Sequence, residues 1–448
     1  MSSVLTRERA RTFAMCVAAM ALLGCQGGEA TPHLVVDPGA LAAKAPSVTV
    51  TAANPSYGEQ GQLNESVTIT GSGFAPGAQA AWLRNGAVDP TITVASTQFV
   101  SSTNLVAVIS IAPGSPVDFR DVMVTNSSRT QGIGSLLFEV TQANQIPGTS
   151  WARSINDSGE ATGSLAGSGG VFYFSSATSQ LEVVSSTGTG WDISADGRAI
   201  VGTGGSGGNF PYLYTRIGTS SSWLTTALPM GATASFGDAR SMVTDGTGQV
   251  VLIGGNSGGP VVWVWQPISG TWQRTVLSSG GTVRHRALST TGIVGGDAPA
   301  SRTLGPAVWT PNGSAGYQMT ILAPSGAVNG VRSDGGMLVG FTSKPVYWPA
   351  LPGGGWGAPI AVSVGGCDGV KDVADAGRFI LNACRFTNGG QTFAAYADAP
   401  YSSLSRLGGL GPKSNVGFAS GISHGGQYAA GYANVNNQGA VGIYWRLP

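Results

Sequence analysis

The feature that most constrains the fold is an internal repeat covering about two thirds of the chain. One pattern occurs seven times: a turn that contains an aliphatic residue, polar residues and then glycine, followed by an apolar strand. The turn glycines lie 38 to 51 residues apart, with a mean of about 44. They are Gly159, Gly197, Gly248, Gly292, Gly335, Gly377 and Gly426. Four-stranded propeller blades have this period, so residues 142–448 are predicted to form a seven-bladed β-propeller.

Each repeat also contains an aromatic strand, predicted to be the third strand of its blade. These strands end at Phe174, Tyr214, Trp265, Trp309, Trp348, Tyr396 and Trp445. The seventh copy stops at Pro448 and lacks a fourth strand. Because a propeller ring closes without a free edge, residues 142–148 are predicted to complete the last blade. The alternative is a last blade of three strands.

Residues 46–141 contain short alternating strands broken by Gly, Pro and Asn, which predicts one β-sandwich. The chain is therefore expected to be all-β. The segments 54–58 and 67–74, with Gly71, Gly73 and Phe74, resemble the IPT/TIG immunoglobulin-like family. That resemblance implies an immunoglobulin-like domain used for spacing or adhesion rather than for catalysis.

The sequence of the repeats resembles that of the extracellular HAF-repeat family. Residues 407–410 and 419–431 carry the resemblance, although the His-Ala-Phe triplet that names the family is absent. The nearest approaches to the triplet are 393–395 and 306–308. The resemblance implies an exported repeat protein.

The first 45 residues predict export and anchoring. A basic segment with three arginines precedes the apolar run 13–23, which is too short to span a bilayer as a helix. The run ends at Leu22-Leu23-Gly24-Cys25, which resembles a bacterial lipobox and implies lipidation of Cys25. Residues 1–24 would then be a signal peptide and 25–45 a flexible tether. An ordinary secretory signal is the alternative.

Gln26 follows the lipobox cysteine, which favours the outer membrane by the enterobacterial sorting rule. The expected location is the bacterial cell envelope, at the outer membrane or cell surface, with the lipid as the membrane contact. Two further cysteines, Cys367 and Cys384, lie symmetrically about the turn at 373–378. Thiols in an exported protein tend to pair, so these two are predicted to form a cross-strand disulfide.

Charge and motifs exclude several classes of function. The formal net charge is +1 and only 10% of residues are charged, so a nucleic-acid partner is not expected. The three histidines are too few and too scattered for a metal cluster, and no phosphate loop occurs, so no cofactor is expected. The GxSxG pattern occurs at 204–208, 255–259 and 421–425, but no helix follows it, which favours glycine turns.

Aligning the repeats reveals one further pattern, two residues before the aliphatic residue of each first strand. That column reads Arg153, Trp191, Arg240, Arg286, Asn329, Lys371 and Ser420. Four of the seven residues are cationic, whereas Lys and Arg make up about 5% of the repeat region. The first six residues are predicted to bind an anionic ligand, such as an acidic sugar or carboxylate, at the mouth of the central channel.

The alternative to a ligand site is that these cations pair with Asp157, Asp192 and Asp372 and tie adjacent blades together. A carboxylate pair at the mouth could also serve acid/base chemistry, although aspartates near blade turns usually bind backbone. The candidate carboxylates are Asp192, Asp238, Asp297, Asp368 and Asp372.

The sequence favours a lipid-anchored envelope protein that binds or adheres, with an anionic glycan or an envelope protein as partner and without catalysis. Two alternatives remain open at this stage. One is a polysaccharide lyase or hydrolase with its site in the propeller mouth, and the other is a purely structural envelope component.

Overall fold

The computed structural model describes residues 47–448, apart from residue 168 and residues 206–209, 219–221, 231–236, 245–248, 257–258, 279, 301–302, 314–315, 363–365, 386–391, 412–413 and 436–438. Thirty-seven β-strands form the regular structure of this described part, which confirms the all-β prediction. No helix in it is long and apolar enough to cross a membrane. The predicted signal peptide, Cys25 and the tether lie outside the described residues.

The strands that precede residue 142 form two sheets. The first has the order β1 (Thr49–Asn54), β3 (Glu65–Ser72), β7 (Asn104–Ile111) and β6 (Ile92–Ser101). The second has the order β2 (Tyr57–Glu59), β9 (Gln131–Thr141), β8 (Asp118–Thr125), β4 (Gln79–Arg84) and β5 (Ala87–Val88). Alternate residues of β7 are buried, as expected for a strand with one face in a core. The shared core contains Ile69 from one sheet and Trp82 and Phe138 from the other, with these two rings 5.7 Å apart.

Seven four-stranded antiparallel sheets follow, numbered here as sheets 1 to 7. Sheet 1 contains β11 (Thr149–Ile155), β12 (Glu160–Leu165), β13 (Val171–Ser175) and β14 (Gln180–Ser185). Sheet 2 contains β15 (Thr189–Ile193), β16 (Ala199–Gly204), β17 (Phe210–Arg216) and β18 (Trp223–Ala227). Sheet 3 contains β19 (Gly237–Thr244), β20 (Val250–Asn256), β21 (Gly259–Gln266) and β22 (Thr271–Val276).

The remaining sheets continue this order. Sheet 4 contains β23 (Thr282–Leu288), β24 (Val294–Ala300), β25 (Thr303–Pro311) and β26 (Tyr317–Ile321). Sheet 5 contains β27 (Ala327–Val331), β28 (Met337–Phe341), β29 (Pro345–Pro349) and β30 (Ile360–Ala361). Sheet 6 contains β31 (Gly369–Val373), β32 (Phe379–Arg385), β33 (Thr392–Ala397) and β34 (Ser405–Arg406). Sheet 7 contains β35 (Ser414–Ile422), β36 (Tyr428–Val435), β37 (Gly439–Arg446) and β10 (Ala143–Gln145).

The first strands of these sheets surround a common axis. Each contacts the first strand of the next sheet, and β35 of sheet 7 contacts β11 of sheet 1, so the ring is closed. This is the arrangement of a β-propeller. The strand β10, which precedes sheet 1 in sequence, pairs with β37 and completes sheet 7. The prediction that residues 142–148 supply the missing strand is therefore confirmed.

Large aromatic side chains fill the space between neighbouring sheets. Trp263, Trp309, Trp348 and Trp445 are fully buried on third strands. In sheet 3 the fully buried ring is that of Trp263, whereas the ring of Trp265 packs 5.2 Å from that of Trp272. The Cys367–Cys384 disulfide is present, as predicted, and joins the segment before β31 to the end of β32.

Candidate ligand site at the channel mouth

A backbone irregularity sets the direction of the side chains in the predicted column. In six of the seven first strands, one column residue is skipped in the pairing with the second strand. These residues are Arg153, Trp191, Arg240, Asn329, Lys371 and Ser420. A bulged residue leaves the ladder and its side chain is re-aimed. The repeat therefore places a bulge at the same position in six sheets.

Sheet 4 departs from this pattern. Its pairing is interrupted from Val283 to Leu288, and Arg286 has a φ of 60°. As a result Arg286 turns inward and is only 9% exposed, whereas the side chain of Arg284 is 39% exposed and forms an ion pair with Asp297. Arg284 rather than Arg286 is thus the solvent-facing cation of this sheet.

Arg286 reaches across the axis to three other sheets. Its Nη1 donates to Ser154 Oγ at 2.9 Å and lies 3.5 Å from Asp192 Oδ1, and its Nε lies 2.7 Å from Asp372 Oδ2. Although burial alone would lower it, the pKa of Arg286 is raised by Asp372 and Asp192. This is the interblade pairing that the sequence offered as the alternative to ligand binding.

The two aspartates also join neighbouring sheets. Asp192 accepts hydrogen bonds from Ser154 Oγ at 2.6 Å and Ser241 Oγ at 2.9 Å, and Asp372 accepts one from the Ile422 amide at 3.0 Å. Burial raises the pKa of Asp372, because its carboxylate is removed from water. We call this buried group the floor; it comprises Ser154, Asp192, Ser241, Arg286 and Asp372.

Planar side chains from sheets 7, 1, 2 and 3 form a continuous stack beside the axis. We call it the mouth stack, and its order is Phe418, Tyr432, Trp151, Arg153, Trp191 and Arg240. The two rings of sheet 7 are 5.0 Å apart, and Tyr432 lies 4.5 Å from Trp151. The Arg153 guanidinium lies 3.8 Å from the Trp151 ring centroid and 3.9 Å from that of Trp191. Arg240 follows at 5.3 Å from Trp191. These are cation–π distances.

The cations at the mouth lie close to one another. Burial and then the neighbouring charge of Arg240 lower the pKa of Arg153 to about 10, so its guanidinium stays charged at neutral pH. Arg240 also forms an ion pair with Asp238 at 2.7 Å. Burial and then the charge of Arg284 lower the pKa of Lys371. The charge of Arg240 therefore acts on Arg153 and that of Arg284 acts on Lys371, while Arg240 and Arg284 each also form an ion pair with an aspartate.

The structure thus divides the six predicted ligand-binding residues into four groups. Arg153, Trp191 and Arg240 are together in the mouth stack, and Lys371 is close to Arg284. Asn329 is 8% exposed and donates to the Val370 carbonyl at 2.7 Å, which joins sheets 5 and 6, while Arg286 belongs to the floor.

Sequence reasoning missed four members of the site: Trp151, Arg284, Phe418 and Tyr432. Three of them carried a readable signal. Trp151 and Arg284 each lie two residues before a column residue on the same strand, a spacing that returns to the same face of a strand. Phe418 also precedes its column residue by two, but Tyr432 comes from the second strand of sheet 7, so only the pairing of the strands places it there.

Two of the candidate carboxylates, Asp238 and Asp297, are held by the protein itself. Asp238 accepts a hydrogen bond from the Gly255 amide at 3.0 Å as well as pairing with Arg240, and Asp297 binds Thr282 and Arg284. The serine of the third GxSxG pattern, Ser423, is fully buried and accepts a bond from the Tyr428 amide at 3.3 Å. The serines of the other two, Ser206 and Ser257, lie outside the described residues. Within the described ranges no group of three or more His, Cys, Asp or Glu could hold a metal.

Neither a protein-family model nor a curated protein sequence matches the chain. Among solved structures, TolB from Acinetobacter baumannii is 17% identical with a TM-score of 0.33; the match covers 53% of this chain and 58% of TolB. A candidate TolB from Agrobacterium tumefaciens is 11% identical with a TM-score of 0.37, covering 61% and 96% of the two chains. The Dos1 propeller is 9% identical with a TM-score of 0.25, covering 89% and 92%. All three TM-scores are below 0.5, so function is argued from this chain's own residues.

Proposed function

We propose that this protein is a lipid-anchored bacterial envelope protein whose seven-bladed propeller binds an anionic ligand at its mouth without converting it. One observation carries the proposal: the first strands bring four cations to the mouth, Arg153, Arg240, Arg284 and Lys371, whereas Asp238 and Asp297 form ion pairs with two of them. Cations held close together at reduced solvation repel one another, and a bound anion relieves that repulsion. The closed ring of seven four-stranded sheets supports the blade count.

Binding is favoured over turnover by the state of the carboxylates. Acid/base hydrolysis needs two carboxyl groups that face the substrate and can exchange protons. Asp192 and Asp372 are buried in the floor, and Asp238 and Asp297 form ion pairs with arginines at the mouth. Each of these four aspartates already has a partner within the protein.

The sandwich of residues 46–141 is proposed to be an immunoglobulin-like spacer between the membrane anchor and the propeller of residues 142–448. Its fixed attachment supports this role. Arg406 of sheet 6 donates to Glu139 of the sandwich at 2.5 Å, and Glu139 also accepts from the Gly409 and Gly411 amides. With lipid on Cys25, the sandwich would hold the propeller mouth at a set distance from the outer membrane or cell surface.

Two measurements on the full-length protein test the proposal. Cell fractionation with mass spectrometry should place the wild-type protein in the membrane with a diacylated Cys25, and Cys25→Ser should release it. The purified protein in detergent should then retain acidic glycans or anionic envelope components in a salt-sensitive manner and release no cleaved product. Cleavage products would instead establish the lyase or hydrolase, and absence of all anion binding would leave a structural role.

A further inference from the structure

Sheet 7 is built differently from the six other sheets of the ring. Those six each consist of four strands that follow one another in sequence, whereas sheet 7 combines β35, β36 and β37 with the N-terminal strand β10. The pairing of β10 with β37 extends from Ala143 to Gln145. This pairing joins the N-terminal end of the propeller to its C-terminal end and so forms the seam of the ring.

A buried carboxylate of the sandwich holds the segment next to this seam. Glu139 lies on β9, four residues before β10 begins. Its carboxylate accepts hydrogen bonds from the amides of Gly409 and Gly411 at 3.1 and 3.0 Å, and from the guanidinium of Arg406. These donors belong to the segment 406–411, which connects sheet 6 to β35 of sheet 7.

The same segment reaches both strands of the seam. Thr141 Oγ1 donates to the Gly409 carbonyl and accepts from the Ala143 amide of β10, both at 2.8 Å. On the other side of the seam, Trp445 Nε1 of β37 donates to the Gly408 carbonyl at 2.7 Å. We call the polar group that joins the sandwich to this segment the clasp; it comprises Glu139, Thr141, Arg406, Gly409 and Gly411.

Two glycines let the segment lie directly on the sandwich. A Cβ atom on Gly408 would lie 2.5 Å from Thr141 Oγ1, and one on Gly411 would lie 2.4 Å from Ser56 Oγ. Gly411 also has a φ of 101°, which favours glycine over any other residue. Both Cβ distances are well below van der Waals contact, so a side chain at either position would push the segment off the sandwich.

The clasp leads directly to the mouth stack. Strand β35 begins three residues after Gly411 and supplies Phe418 and Ser420. Ser420 Oγ accepts a hydrogen bond from Trp151 Nε1 at 2.5 Å, and Tyr432 of β36 contacts the rings of both Phe418 and Trp151. Sheet 7 therefore supports Trp151, the first residue of sheet 1 in the stack, through two separate contacts. A shift of sheet 7 would remove both.

We propose that the sandwich controls the shape of the mouth through the clasp. With the clasp closed, sheet 7 is held in place and supports the mouth stack; with the clasp open, sheet 7 loosens and the stack loses the order of its first half. Coupling between separate sites is carried by contiguous hydrogen bonds and packed side chains. Here they run from Glu139 through the segment 406–411 and β35 to Trp151.

This role goes beyond that of a spacer. A partner that drew the sandwich away from the propeller would disorder the mouth and weaken the binding of a ligand there. That last consequence rests on the proposed binding function, whereas the coupling itself does not.

Hydrogen–deuterium exchange of the full-length protein in detergent tests the coupling, because it measures local opening along the chain. Two substitutions open the clasp by different means. Glu139→Gln removes the carboxylate charge, and Gly408→Ala places a methyl group against Thr141. We expect each to raise the exchange rates of β35, β36 and β11 about tenfold, the effect of losing one net hydrogen bond. The rates of β24 and β25 in sheet 4 should stay at the wild-type value.

Gly353→Ala is the matched control, because a Cβ atom at that position meets nothing within 4 Å. It should leave the exchange of all seven sheets unchanged. If Glu139→Gln does not fold, Gly408→Ala decides the question, since it alters no charge.

Two results would overturn the proposal. Faster exchange confined to the sandwich and the segment 406–411, with β35, β36 and β11 at the wild-type rate, would show that the clasp does not act on the mouth. An equal increase in every sheet, sheet 4 included, would show that the substitutions only lower the overall stability. Because no ligand is used, either result leaves the proposed binding function to its own test.

Discussion

At the scale of single residues, Arg286 shows how position in the fold decides what a cation does. Its sequence context is that of Arg153 and Arg240, yet its side chain is 9% exposed and forms ion pairs with Asp192 and Asp372. Removing one partner of a buried ion group leaves a charge without compensation in a region of low dielectric constant.

Arg286→Met therefore should destabilise the protein by about 3–5 kcal/mol. Methionine keeps much of the apolar stem and is no worse suited than arginine to the φ of 60°. Denaturant unfolding measures the change. Arg332→Met is the matched control, because its partner Asp334 is 59% exposed and such pairs contribute about 1 kcal/mol or less. Equal losses of stability in the two variants would show that the buried ion pairs of Arg286 contribute no more than an exposed ion pair.

Asp375 should make the free energy of unfolding depend on pH in a predictable direction. The contact with His424, whose Nδ1 lies 3.8 Å from Asp375 Oδ1, and a hydrogen bond from the Ser333 hydroxyl hold the pKa of Asp375 below its ordinary value, against the effect of burial. The ionised form is thus favoured by folding, and its contribution is present above pH ~4 and lost as the pH falls through the lowered pKa.

We expect Asp375→Asn to reduce the free energy of unfolding more at pH 5 than at pH 3. At pH 3, below the ordinary pKa of about 4, the carboxyl group of the unfolded chain is mostly protonated, so part of the stabilisation is lost and the two proteins should become more alike. Thermal unfolding of both proteins at the two pH values measures this difference. A larger loss at pH 3 would show that Asp375 acts through another interaction.

At the scale of elements, the repeat made the strand order predictable, because the turn glycines recur at the length of one four-stranded blade. The same alignment found the bulged column, since Arg153, Trp191 and Lys371 occupy equivalent positions before an aliphatic residue. It could not place Arg286. The pairing of sheet 4 is interrupted over several residues, and a positive φ on a non-glycine residue leaves no sequence signal.

The strand β10 is the element that closes the ring. The Ile146 amide donates to the Gly442 carbonyl at 2.8 Å, and Asn144 lies opposite Tyr444. Hydrogen-bonded pairs recur every second residue in an antiparallel pair of strands, so the Asn144 amide also faces β37. Proline at 144 would remove the donor that faces β37.

Asn144→Pro should consequently lower stability by about 1–3 kcal/mol, the cost of leaving a backbone carbonyl without its donor. Denaturant unfolding with intrinsic tryptophan fluorescence is a suitable measurement. Asn144→Ala keeps the amide and separates the backbone effect from loss of the side chain. If the proline and alanine variants unfold alike, β10 contributes little to ring closure.

At the scale of the whole molecule, the sandwich and the propeller are joined by a buried group of polar contacts centred on Glu139. Glu139 is 1% exposed, and burial raises its pKa. Arg406 approaches it across the junction, with its guanidinium 3.8 Å from the Phe393 ring centroid and 4.3 Å from that of Phe119. Thr141 Oγ1 adds a bond to the Gly409 carbonyl at 2.8 Å. The partners are so far apart in sequence that composition and spacing could not identify them.

This junction determines whether the two parts unfold together. Each has its own hydrophobic core, so either could melt separately if the contact between them were lost. We expect one calorimetric transition for the wild-type protein and two for Arg406→Met, because that change leaves the Glu139 carboxylate buried without its cation. The double variant Glu139→Gln with Arg406→Met removes both charges and should recover part of the coupling. A single transition at the wild-type temperature in Arg406→Met would mean that apolar contacts alone hold the spacer to the propeller.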